Sequence, residues 1–295
     1  MVTARIVEYD RRQRTYFLPP HRRAVLQLHA GKNVAHMPEF LRLLAGVATD
    51  VADCFKLDGP EGVPYSAYHG LQAWLANMRK QEMENNLVDY FVPTIPGLKE
   101  RLGEKHNLES GIRVHDAGCG RGIPTLILAQ HFPNSTFVAT DLDSEPVQWA
   151  AAESNRLGLV NTTFQVQDLV KLPADWSDSF DYVLAWDAIH DQADPEGVLR
   201  EIYRTLKPKG LFSMVDMRGH TELAENLDNP AAPMLYGASL LHCMPVSLYF
   251  GGRGLGNMWG QELAVSMLQE ARFTNILVLD VPNIHANLHF LCQKP

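Results

Sequence analysis

The chain has 295 residues, 46% hydrophobic and 20% charged, enough to bury the core of one large domain or of a domain with an appendage. It contains no run of about 18 apolar residues, which argues against a membrane-spanning helix, and its formal net charge of −8 argues against a nucleic-acid binder overall. Cys54, Cys119, Cys243 and Cys292 form no C-x-x-C pair, so the expectation is no metal centre, no disulfide framework and a cytoplasmic setting.

Residues 1–85 carry no nucleotide-binding signal. Arg5, Glu8 and Asp10 interrupt any leader-like apolar stretch. Arg5–Tyr9 and Thr15–Leu18 flank the polar turn Asp10–Arg14 and predict a β-hairpin. A helix follows Pro19-Pro20. Phe40, Leu44, Val47, Val51 and Phe55 recur at helical spacing and predict one helix from Met37 to Phe55. Gly59–Pro64 is a loop, and Ser66–Met83 a further helix. Residues 1–32 hold seven Arg or Lys against Glu8 and Asp10, which fits a solvated face or a basic contact surface. Sequence-specific binding to nucleic acid is not expected.

From residue 86 to 295 strands alternate with helices. Strands are predicted at Ile112–Asp116, Thr136–Thr140, Thr163–Val166, Tyr182–Trp186 and Leu211–Val215. Helices are predicted at Thr125–His131, Glu145–Leu157 and Pro195–Leu206. Such alternation means βαβ units and a mostly parallel sheet. After a helix at Gly260–Arg272, the strands Thr274–Val281 and Asn287–Gln293 are joined by a short link and can only pair antiparallel. The expected fold is α/β: a Rossmann-like, mostly parallel, seven-stranded sheet with a terminal antiparallel hairpin. A small, mainly helical N-terminal part with its own β-hairpin precedes it. Residues 218–256 interrupt the alternation near the carboxyl ends of the strands, where such sheets bind ligands, and predict a cap over a substrate.

The chemistry starts at Asp116-Ala117-Gly118-Cys119-Gly120-Arg121-Gly122, between the first of these strands and its helix. Glycine allows positive φ and close approach of a ligand to the backbone. Asp141 follows Gly120 by 21 positions at the end of the next strand, near the spacing of about 20 for a carboxylate that binds ribose hydroxyls. The loop reads G-x-G-x-G behind a carboxylate, not the G-x-G-x-x-G of a dinucleotide site. A carboxylate would repel a pyrophosphate and attract an ammonium or a sulfonium. The predicted ligand therefore has a nucleoside at one end and a cationic amino acid at the other.

On these residues the chain resembles the class I S-adenosylmethionine-dependent methyltransferases. The resemblance implies S-adenosyl-L-methionine as cofactor, held by Asp116, Gly118, Gly120 and Gly122, with Asp141 as ribose acid. Leu142 follows that acid. Asp168, with the backbone of Leu169, would meet the adenine, or else be an exposed turn residue. Trp186 and Asp187 extend the site at the fourth strand. Tyr65 and Tyr68 reach the cofactor mouth from the N-terminal part, or pack helix on sheet.

The segment Asp187-Ala188-Ile189-His190-Asp191-Gln192-Ala193-Asp194 resembles the H-D-x-x-D motif of small-molecule O-methyltransferases, which implies His190 as general base for a hydroxyl acceptor. An unperturbed histidine titrates at about pH 6.5. Asp191 or a nearby carboxylate would orient the ring. The alternative for His190 is a loop anchor bonded to backbone. Asp194 before Pro195 reads as a helix cap. His242, Cys243 and Met244 are adjacent on a predicted helix and diverge by about 100°, so they cannot all face one metal and read as pocket lining or core.

Gly62–Tyr68, His242–Met244 and Gly254–Gly260 are also similar to a subgroup of these enzymes with an N-terminal winged helix. There the hairpin would be the wing, with the helices before it expected to be absent, and the N-terminal region would support a homodimer. Two other readings stay open at this stage: a nicotinamide-dependent dehydrogenase, and a cofactor-binding regulator without turnover.

Overall fold

A computed structural model describes residues 1–26, 37–103 and 111–295. An N-terminal hairpin pairs β1 (Glu8–Asp10) with β2 (Thr15–Phe17). Asp10 closes its turn by accepting from the backbone N–H of Arg12 and Gln13. A helix at Pro20–Leu26 follows.

Positions 37–55 form two helices, Met37–Ala45 and Ala48–Asp53, where the periodicity predicts one. Gly46 sits at the break, and glycine is among the weakest helix formers. Leu44, Val47 and Val51 are nonetheless all buried, so the apolar stripe survives the interruption. The next helix starts later than predicted, at Leu71, and runs to Asn86. Gly70, at φ +83°, separates it from a short turn at Tyr65–Ala67. Residues 87–103, unassigned from the sequence, turn through Leu87–Phe91 and Val92–Thr94 into a short helix at Leu98–Leu102.

Seven strands follow: β3 (Arg113–Ala117), β4 (Thr136–Asp141), β5 (Thr162–Val166), β6 (Phe180–Trp186), β7 (Leu206–Met217), β8 (Thr274–Asp280) and β9 (Asn287–Gln293). They form one sheet in the order β5-β4-β3-β6-β7-β9-β8. The first five are parallel, and β9 lies antiparallel between β7 and β8. This is the predicted sheet. The central strands are apolar runs buried on both faces, as parallel strands require. One face is covered by helices Pro195–Thr205 and Gln261–Glu270, which bring Val198, Leu199, Ile202 and Leu268. The other carries helix Ile123–His131 and the Met83–Leu102 region, with Phe91 and Phe137 at 1% and 2% exposure. Each such side chain contributes about 1.5–3 kcal/mol by leaving water.

Between β7 and helix Gln261–Glu270 the chain makes a helical run through Ala232–Ala238, Ser239–Cys243 and Met244–Tyr249. It packs on the N-terminal helices. Ala238 and Val246 share a buried cluster with Leu44, Val63 and Leu71, and the Val63 N–H donates to the Pro245 carbonyl at 3.0 Å. The predicted cap is therefore built jointly by residues before and after the sheet strands.

Candidate active site

The carboxyl ends of β3, β4 and β6 open into a cavity of about 670 Å³. Its floor is the glycine loop. Gly118, Gly120 and Gly122 have φ of +75°, +51° and +63°, the left-handed region that side chains disfavour. The three have different duties. A Cβ on Gly118 would lie 2.6 Å from the Cβ of Ala188, so this glycine lets the loop pack on the β6 side. A Cβ on Gly122 would collide with the Phe164 ring, and Gly122 does not line the cavity. Its expected place in the cofactor site is corrected to a packing position at the start of helix Ile123–His131. Gly120 faces open space, its nearest neighbour being the Gln72 side chain at 3.7 Å.

Two acids frame this loop. Asp116 is buried at the end of β3 and accepts from the Thr125 hydroxyl at 2.7 Å. Burial, helped by the Asp141 charge and opposed by the Thr125 bond, pushes its pKa up to about 7. A cation placed beside Asp116 would restore its charge. Asp141, at the end of β4, accepts from the Gly120 N–H at 2.8 Å and the Asp143 N–H at 3.0 Å. Burial raises its pKa, and those two bonds oppose the rise. The spacing of 21 residues thus has a direct structural meaning: the acid fastens the loop as well as facing the cavity.

Leu142, Asp168 and Leu169 line the same cavity. Asp168 accepts from the Val170 N–H at 3.1 Å and lies 3.4 Å from the Lys171 ammonium. Trp186 and Asp187 end β6. Asp187 is left-handed, φ +49°, and is held by Arg79 and by the Asn287 amide at 2.6 Å. Burial raises its pKa, against the lowering effect of Arg79. Tyr65 also lines the cavity, whereas Tyr68 lies behind it, buried, with its hydroxyl donating to the Leu241 carbonyl at 2.9 Å.

His190 lies just past β6, 3% exposed on the cavity wall. Its Nδ1 is 2.7 Å from Asp216 Oδ1 on β7. A carboxylate can only accept, so Nδ1 carries the hydrogen. Asp191, expected as the orienting acid, sits instead 3.3 Å from Nε2. Asp216 is the residue that sequence reasoning missed. It lies 26 positions away, and only the pairing of β6 with β7, with Trp186 opposite Val215, brings it to the histidine. Burial lowers the His190 pKa, but Asp216 and Asp191 outweigh it and raise it well above the ordinary value. His242 and Cys243 line the cavity beyond it. Burial lowers the first pKa and pushes the second up to about 12. His190, Asp191 and Cys243 bring three possible metal-ligating atoms within 4.8 Å of one another, a grouping not foreseen in the sequence. A thiol held protonated is a poor metal ligand.

The remaining walls are apolar: Met37, Phe40 and Trp74 from the N-terminal helices, Met234, Leu235 and Phe250 from the cap. A glycine cradle, an acid on the ribose side and buried acids at the other end form a site with the parts needed for a nucleoside carrying a cationic amino acid. Asp116, Gly118, Gly120 and Asp141 would hold it.

The fold and this site define a class I S-adenosylmethionine-dependent methyltransferase. Residues 108–272 match the model of a methyltransferase domain family, and the chain belongs to that family. Family membership sets aside the nicotinamide dehydrogenase reading. Among curated relatives, the chain is 30% identical over 141 residues to the sterol 24-C-methyltransferase erg6 of Aspergillus fumigatus, covering 48% of this chain and 36% of that one. It is 32% identical over 152 residues to an arsenite methyltransferase of Aquipseudomonas alcaligenes, covering 48% and 42%. The matches thus span about two fifths of these relatives. A solved structure of a protein described as an O-methyltransferase from Nostoc punctiforme shares the fold over 99% of this chain and 82% of that one, with a TM-score of 0.70 at 17% identity.

Proposed function

We propose that this protein transfers a methyl group from S-adenosylmethionine to a hydroxyl of a small, largely apolar molecule, with His190 as the base. The observation that carries the reading is the His190–Asp216 pair on the wall of the cavity that also holds the glycine loop. When bound, the cofactor supplies a methyl group on a sulfonium, already activated for displacement by its positive charge. The protein's task is alignment and proton removal. Asp216 fixes the ring and its tautomer. His190 takes the acceptor proton at Nε2, and Asp191 and Asp216 stabilise the resulting imidazolium. The same two charges keep His190 protonated over much of the neutral range, so the base is strong but must first lose its own proton. The apolar walls exclude water and fit a hydrophobic acceptor body. The relatives are named for methylation at a sterol carbon and of arsenite, and the fold neighbour for methylation at oxygen. The choice of oxygen here rests on the histidine.

The proposal includes a division of labour. Residues 1–85 close the acceptor side, and the part from 86 onward binds the cofactor. Exposed Leu41, Phe55 and Leu57 support a surface for a second copy in the N-terminal part. The test is transfer of labelled methyl to a panel of phenols, alcohols and hydroxy acids, in wild type and His190→Gln. Labelled ether or ester is expected in the first, and about 10²–10⁴-fold slower in the second. Cofactor binding without transfer to any of the panel would favour the regulator reading instead.

A further inference from the structure

We propose that Arg79 anchors the α-carboxylate of the cofactor's amino-acid end and so selects adenosyl ligands that keep that carboxylate. This inference rests on the cofactor reading above. An amino acid brings a carboxylate as well as an ammonium, and the loop end of the cavity is acidic. Asp116 and Asp187 suit the ammonium and repel the carboxylate. A carboxylate sequestered without a cation is costly.

Among the described residues, two arginines line the cavity, Arg79 and Arg121. Arg121 is turned towards helix Ser144–Arg156. It bonds Glu145 at 2.5 Å and lies over Trp149 at 5.0 Å, on the side of the ribose acid. Arg79 lies at the opposite end. It pairs with Asp187 and sits 5.6 Å over Trp186, two residues that follow β6, the strand adjacent to β3 and its glycine loop. Its other terminal nitrogen is 3.6 Å from Glu82, beyond hydrogen-bond reach, so one edge of the guanidinium is fixed while further N–H donors stay exchangeable.

The helix delivers it there. Gln72, Leu75, Arg79 and Glu82 form one stripe facing the cavity. Gln72, about 10 Å earlier along the axis, is the nearest neighbour of the Gly120 position. The helix thus runs along the loop and carries a planar cation to the amino-acid end. A guanidinium held by Asp187 is pre-organised for a second, two-point contact with a carboxylate, which a lysine cannot make.

Calorimetry with adenosylhomocysteine and its decarboxylated analogue, which keeps the amine, tests this. Wild type should prefer adenosylhomocysteine by about 10–100-fold. Arg79→Met should abolish the preference by weakening adenosylhomocysteine alone, with the decarboxylated form changing less than about threefold. Arg79→Lys, which keeps a charge for Asp187, should keep the fold and lose part of the preference. Equal weakening of both ligands in the Lys variant, an intact preference in Arg79→Met, or a preference that disappears in Arg121→Met would overturn the assignment. Failure of wild type to bind either ligand would instead overturn the cofactor reading beneath it.

Discussion

His190 and Asp216 are 26 residues apart in the chain and 2.7 Å apart in the fold. The contact joins the loop after β6 to the neighbouring strand. Asp216 itself is fully buried, and its Oδ1 also accepts from the Met217 N–H at 2.7 Å. The histidine is therefore clamped at one nitrogen and available at the other.

That clamp predicts a pH profile. His190 acts as a base only when neutral, and its pKa is raised. The rate should therefore climb with pH, with a midpoint above the ordinary histidine value of about 6.5. Asp216→Asn removes one of the two charges that hold the proton, so the midpoint should move down while the plateau rate falls. A pH–rate profile on any accepted substrate measures both. An unmoved midpoint would place the base elsewhere, with His242 the first to examine.

Asp141→Ala should weaken adenosylhomocysteine binding by about 1.5–3 kcal/mol, the range for hydrogen bonds to a charged group. The variant also frees the Gly120 and Asp143 N–H groups that the carboxylate holds. Titration calorimetry at neutral pH checks this, and unchanged affinity would remove Asp141 from the cofactor site.

The glycines allow folding and binding to be separated. At Gly118 an added methyl meets Ala188 and a left-handed backbone, so Gly118→Ala should cost about 2–4 kcal/mol of stability. At Gly120 the space is open, and Gly120→Ala should cost only the backbone strain, about 1–2 kcal/mol. The added methyl would instead occupy ligand space, so adenosylhomocysteine affinity should fall more in Gly120→Ala than the stability loss explains. Urea unfolding and calorimetry on the pair decide it.

His115 predicts acid sensitivity. It is fully buried, with Nε2 2.8 Å from the Thr140 hydroxyl. Burial, aided by the Arg113 charge, lowers its pKa to about 3. The unfolded chain then binds a proton that the folded chain refuses between about pH 6.5 and pH 3, so stability falls as pH drops through that window. His115→Gln removes this contribution. Between pH 7 and pH 5 the wild type should lose about 2 kcal/mol more unfolding free energy than the variant, measured by urea denaturation.

The sequence by itself determined the parts that local rules govern. Alternating apolar strands and amphipathic helices fixed the sheet, because a parallel strand must be apolar along its length and its crossover must be helical. The loop Asp116–Gly122 and Asp141 were legible because both lie at strand ends whose spacing is one βαβ unit. Where propensity was ambiguous the reading slipped, as at Gly46 and Gly70, and residues 87–103 carry no period to read. Only the tertiary structure decided which side chains meet. Strand adjacency gives His190 to Asp216 where chain proximity suggested Asp191. The helix Leu71–Asn86 brings Arg79 to Asp187, 108 positions later. Phe164 makes Gly122 a packing residue. Such partners are set by sheet order and helix docking, long-range contacts whose sequence separation leaves no periodic trace.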